Sequence, residues 1–127
     1  MSPGPSETIA DSISAGLPRD RVKALRAVRE TKGAFVAVSD AAIIQSIPTF
    51  ARLTGVFAEP STAAIYAGAK VAMQQGYLHA DESVVFISTG NGLKDVRRAQ
   101  QSVSSGLRVQ PTLDAVRSAL KLIDNQM

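Results

Sequence analysis

Two short apolar runs limit what this chain can fold into. Ala34-Phe35-Val36-Ala37-Val38 and Ser83-Val84-Val85-Phe86-Ile87-Ser88 are near-continuously apolar and rich in β-branched and aromatic residues. That pattern suits strands buried on both faces, as in parallel sheets covered by helices, and not the alternation of a half-solvated strand. The segments around them read as helix. Buried strands joined by helical crossovers pair in parallel. The expected fold class is therefore α/β, with helices around a short parallel sheet. Two parallel strands leave both sheet edges open. The sheet is expected to be incomplete: the chain belongs to a larger sheet, or completes itself by oligomerising or swapping elements.

The helical segments carry their own punctuation. Asp20 to Lys32 places Val22, Leu25 and Val28 at helical spacing, with Asp20 as a cap and Gly33 as a left-handed stop. Ser39 caps a second helix from Asp40 to Thr54, closed by Gly55. Pro48 inside it removes a backbone donor and predicts a kink or break. Pro60 opens a third helix that runs to Gln75 and stops at Gly76. Its Ala63, Ala64, Ala67, Gly68, Ala69 and Ala72 allow close approach, so it is expected to lie against the sheet. A further helix should follow from Leu93. Thr112 caps the last one, with Leu113, Val116, Leu120 and Ile123 on one face. Residues 1–7 read as a flexible leader without the pattern of a secretory signal.

Composition excludes several function classes. The 127 residues fit one compact domain. The net charge of +3 is spread along a chain with 5% aromatics, which gives no support to nucleic-acid binding. Cysteine is absent and His79 is the only histidine, so neither a disulfide framework nor a metal site is expected. His79 reads as a solvated loop residue. No apolar run has membrane-crossing length, and a cytoplasmic location with no membrane partner is the expectation.

Ligands of open α/β sheets bind beyond the carboxyl ends of the strands. Ser39-Asp40 and Ser88-Thr89-Gly90-Asn91-Gly92 occupy such positions. The second loop is richer, with two hydroxyls, an amide and two glycines. A Gly-x-Gly turn also serves as a bare strand-to-helix connection, and the spacing here is not that of a P-loop. Glu59, just before a helix start, suits the helix dipole, and capping suffices to explain it. Asp11, Asp20, Asp40 and Asp81 look like caps or turn residues, and Lys94-Asp95 like a local surface ion pair of little worth. Neither a nucleophilic triad nor a carboxylate pair at useful spacing can be assembled.

Three stretches resemble threonine synthases in order and separation. They are Thr8-Ile9-Ala10-Asp11-Ser12-Ile13 with Gly16-Leu17-Pro18, Gly55-Val56-Phe57-Ala58-Glu59-Pro60-Ser61, and Thr89-Gly90-Asn91-Gly92-Leu93-Lys94-Asp95. The last is fairly specific to threonine synthases and close relatives. Glu-Pro is shared more widely among β-family enzymes dependent on pyridoxal phosphate, including serine and threonine dehydratases.

The resemblance implies the C-terminal part of the large domain of a fold-type II enzyme, with residues 8–127 as that segment. In the complete family enzyme O-phosphohomoserine and water become threonine and phosphate, the amino-acid biosynthetic step of a lyase. The resemblance also implies that the Schiff-base lysine and the phosphate-binding loop lie in an N-terminal half. Lys23, Lys32, Lys70, Lys94 and Lys121 do not sit in the family's lysine context, so no catalytic residue is assigned here. Thr89 matches the hydroxyl that bonds the pyridine nitrogen of pyridoxal phosphate, with Ser88 as the alternative. Gly90 would let the backbone lie close to the ring, and Glu59 matches a position near the cofactor. Ile9, Ala10 and Ser12 would lie on the side of the amino-acid substrate. The partner implied is the N-terminal half, and activity of this chain alone is not expected. Two other readings stay open: a standalone, non-catalytic module that oligomerises or binds a small anion, and a segment of a related enzyme such as a dehydratase or cysteate synthase.

Overall fold

A computed structural model describes residues 4–124. Among the described residues five α-helices carry the fold: α1 (Arg21–Glu30), α2 (Asp40–Thr54), α3 (Pro60–Gln74), α4 (Val96–Gln101) and α5 (Leu113–Asp124). Short 3-10 turns at Asp11–Ile13 and Gly92–Asp95 precede α1 and α4.

The core lies where α2 packs on α3. Ile43 and Ile47 of α2 meet Ala63 of α3 and Ala10 from the first segment. The small side chain of Ala63 lets the two helices close on the isoleucines. Burying each isoleucine is worth about 1.5–3 kcal/mol. Phe50 extends this contact, tilted at 6.0 Å from Tyr66 and edge-on at 6.2 Å from Phe86.

The caps of α2 and α3 follow the sequence closely. The Ser39 hydroxyl accepts from Ala42 N at 3.2 Å, Gly55 closes α2 at φ 74°, and Pro60 sits in the first turn of α3. Pro48 does not break α2. It removes one bond, the donor that would reach Ile44, while the buried Ile43, Ile47 and Phe50 hold both halves of the helix against its neighbours. At the end of α1 the left-handed residue is Lys32 (φ 54°) and not Gly33. Gly33 N donates to Val28 O and Lys32 N to Arg29 O, so the pair of closing bonds is made one residue earlier than expected. Asp20 makes no side-chain cap bond and pairs with Lys23 instead.

The parallel sheet expected from the sequence is not formed. Among the described residues there is no strand, only an isolated antiparallel bridge between Ala58 and Asn91. The run 34–38 is largely exposed and the run 83–88 wholly so, with Phe35 at 67%, Val85 at 86% and Ile87 at 71%. A strand exists only as part of a hydrogen-bonded ladder, and these two runs do not bond to each other. Ala34 and Val36 from one, and Val84 and Phe86 from the other, instead line a groove of about 330 Å³ shared with Gly68 and Ala72 of α3. The small residues of α3 therefore face α2 and this open groove.

Thr112 caps α5 as expected, accepting from Ala115 N at 3.3 Å. Leu113 and Leu120 are exposed. The side chain of Ile123 and residues 1–3 of the leader lie outside the described part, while Ser6 and Ser14 share a hydrogen bond of 2.9 Å. His79 is exposed, as expected. No helix among the described residues is long and apolar enough to cross a membrane.

Candidate functional site

The Ala58–Asn91 bridge brings two distant loops into register. Glu59 N donates to Gly90 O at 3.1 Å, and Gly92 N to Phe57 O at 2.9 Å. From within α3, the buried Thr62 hydroxyl accepts from Gly90 N at 3.0 Å. Both glycines are required by contact and not by backbone angle. A Cβ at Gly90 would collide with the Glu59 carboxyl, and one at Gly92 with the Phe57 ring.

Glu59 is 4% exposed and forms the hub. Its side chain accepts no capping bond from a backbone N–H of α3, so it does not serve as the side-chain cap that its position allows. The Ser12 hydroxyl donates to Glu59 Oε2 at 3.0 Å, and Lys94 Nζ lies 3.1 Å from the same oxygen and 3.3 Å from Oε1. Ser61, then Lys94 and Ser12, hold the Glu59 carboxyl below its usual value of 4.5, against the upward push of burial. These residues, with Asp11, Pro60 and Asp95, line a polar cavity of about 140 Å³.

Lys94 therefore pairs with Glu59 and not with its neighbour Asp95. Asp95 caps α4, accepting from Arg98 N at 3.1 Å. Asp40 also does more than stand in the first turn of α2. It accepts from the Thr8 hydroxyl at 2.6 Å and from Ile9 N at 3.2 Å, anchoring the first segment. That anchor drives Ala10 fully into the core and packs Ile9 against it, which leaves Asp11 and Ser12 as the residues of this segment that reach the polar cavity.

Ser88 and Thr89 stand on another cavity. Both are exposed, and with Val56, Phe57, Gly90 and Asn91 they line a shallow space of about 190 Å³. No residue lines both cavities. The structure thus gathers Ser12, Glu59 and Gly90 around one hub and turns Ser88 and Thr89 to a different opening. Lys94, Ser61 and Thr62 belong to the hub but are not among the site residues expected from the sequence, where Lys94 reads as a local partner of Asp95 and Ser61 only as the end of the second motif. For Lys94 the available signal was its place in the third motif.

As a wall for an aromatic cofactor, the second cavity offers hydroxyls, an amide, an apolar edge and a glycine backbone. This set suits one edge of a pyridine ring. It holds neither a lysine nor a cation for a phosphate group. Among the described residues no group of three acidic, histidine or cysteine side chains could hold a metal ion.

Comparison with known proteins gives a consistent picture. Residues 2–90 match the family described as pyridoxal-phosphate dependent enzyme. The chain is 35% identical over 115 residues to the threonine synthase of Methanocaldococcus jannaschii, covering 91% of this chain and 28% of that protein. It is 37% identical over 114 residues to the threonine synthase of Methanosarcina acetivorans, covering 90% and 28%. With the threonine synthase of Mycobacterium tuberculosis H37Rv the identity is 40% over 99 residues, covering 78% and 28%. The chain spans less than a third of the length of these relatives.

Proposed function

Since the chain belongs to the family of pyridoxal-phosphate dependent enzymes, we propose that it is the C-terminal segment of the large domain of a fold-type II, threonine-synthase-like lyase. In this reading the remaining part of the enzyme supplies the lysine and the phosphate loop. The observation that carries it is the convergence of the three motif stretches on Glu59, through Ser12, Gly90 and Lys94. The two exposed apolar runs support it as well. They have the composition of buried strands and lack a partner among the described residues.

Pyridoxal phosphate, when bound, supplies an electron sink for chemistry next to an amino group. This chain's part is to hold one edge of it. The Thr89 hydroxyl bonds the ring nitrogen, with Ser88 beside it. A neutral hydroxyl does not keep that nitrogen protonated as a carboxylate would, so the sink is weaker, which suits elimination and replacement. Gly90 and Phe57, which line the same cavity, would stand along that edge of the ring.

The test is a titration with pyridoxal phosphate, followed by borohydride reduction and peptide mapping. It is run on the 127-residue chain alone and mixed with the part of the Methanocaldococcus jannaschii relative that precedes the matched segment. The expected result is scattered, substoichiometric labelling of the chain alone, and stoichiometric labelling of one lysine on the added part in the mixture. Stoichiometric trapping on a lysine of this chain alone would overturn the proposal.

A further inference from the structure

We infer that Glu59 and Lys94 are a positioning pair: their contact wedges the peptide at Gly90 and so sets the direction in which the Thr89 hydroxyl is presented, while neither side chain touches the cofactor ring. This inference rests on the proposed role of Thr89.

Four observations carry it. The Glu59 carboxyl fills the room left by the absent side chain of Gly90, so the loop cannot shift toward α3 without displacing it. The Gly90 peptide is held on both sides, by Glu59 N on its carbonyl and by Thr62 Oγ1 on its amide. Lys94 returns from the same loop, four residues after Gly90, and closes the circuit at 3.1 Å. Finally, the pair and Thr89 face different cavities with no lining residue in common. The hub can thus act on Thr89 only through the backbone.

Stability alone is a poor explanation for this arrangement. The Lys94 side chain is 60% exposed, and ion pairs with an exposed partner contribute little to folding. A buried carboxylate, by contrast, demands partners, and beside its neighbour Ser61 it draws two from distant parts of the chain, Ser12 and Lys94. Such a hub costs more to build than an apolar plug and gives one defined loop geometry in return.

The experiment compares wild type, Lys94→Met, Lys94→Arg, Glu59→Gln and Thr89→Ala. Amide exchange at Gly90 and Glu59 is measured by NMR on the 127-residue chain, with the Ala67 amide of α3 as internal control. Lys94→Met should speed exchange at Gly90 by about threefold and Glu59→Gln by about tenfold while leaving Ala67 unchanged, and Lys94→Arg should restore protection. The same variants are mixed with the complementary part of the Methanocaldococcus jannaschii relative and pyridoxal phosphate, and the absorption maximum is recorded. Lys94→Met should shift it in the same direction as Thr89→Ala, and Lys94→Arg should not. Unchanged Gly90 exchange in Lys94→Met overturns the inference. So does a spectrum that responds to Thr89→Ala but not to Lys94→Met, and the reading of Thr89 then stands. A spectrum indifferent to Thr89→Ala removes the ring-nitrogen role itself, and the inference with it.

Discussion

Lys94 Nζ lies 3.1 Å from Glu59 Oε2, joining residues 35 positions apart, one mostly exposed and the other 5% exposed in its side chain. The asymmetry decides what each partner is worth. Removing Lys94 leaves a carboxylate that still has Ser12 and Ser61, whereas neutralising Glu59 weakens every bond of the hub. Glu59→Gln should therefore destabilise the chain by about 1–2 kcal/mol and Lys94→Met by less than about 1 kcal/mol. Urea unfolding followed by circular dichroism measures both, and equal costs would contradict the ranking.

The same hub predicts a pH dependence. Its partners lower the Glu59 carboxyl from the usual 4.5 in the folded chain. The unfolded chain therefore binds this proton more tightly, and the stabilisation is fully present above pH 4.5 and fades as pH falls below it. Urea midpoints measured between neutral and acid pH should drop more steeply for wild type than for Glu59→Gln. Parallel curves would mean that Glu59 titrates alike in both states.

Gly90→Ala should cost about 1–3 kcal/mol, because the added methyl group meets the Glu59 carboxyl. Left-handed strain is not involved, since among the glycines only Gly55 and Gly76 have positive φ. The cost should shrink when Glu59→Ala accompanies it, since the methyl group then enters the vacated space. A double-mutant cycle by chemical denaturation checks this coupling, and strict additivity would sink the packing explanation.

In the core, Ile47→Ala should cost about 2–5 kcal/mol, because Ile47 is 2% exposed between α2 and α3. Thermal melts or urea midpoints suffice, and a cost below about 1 kcal/mol would place the core elsewhere.

Val85→Thr and Ile87→Thr should behave in the opposite way. Both side chains are largely exposed, so the chain's own stability should change by no more than about 0.5 kcal/mol. Their binding to the complementary part of the Methanocaldococcus jannaschii relative, measured by calorimetry, should weaken at least tenfold, as a rough expectation for losing buried apolar area. Unaltered binding would mean that this run is not the partner-facing surface.

Local signals in the sequence were legible because their physics is local. Ser39, Gly55, Pro60 and Thr112 mark helix ends through bonds within one turn, and the structure places α2 and the starts of α3 and α5 where they indicate. Lys32 taking the left-handed position before Gly33 shows the limit of such signals to about one residue. Pro48 shows a different limit. The cost of a lost bond is local, while the packing that keeps α2 whole comes from Ile43, Ile47 and Phe50 meeting other elements.

The candidate site divides along the same line. Its three motif stretches could be recognised in the sequence, and the family match agrees with that resemblance. That Glu59 reaches Ser12 and Lys94 from distant segments could not, because a carboxylate at a helix start is explained equally well as a cap.

The sequence by itself determined both ends of α2, the starts of α3 and α5, the apolar character of residues 34–38 and 83–88, and the family, since these follow from residue type and near neighbours. Only the tertiary structure decided that those two runs stand apart without a ladder, and that Glu59, Gly90, Lys94 and Ser12 share one hub. Pairing and burial depend on which distant segments meet. A strand-forming run becomes a strand only when a partner's backbone is there to bond it.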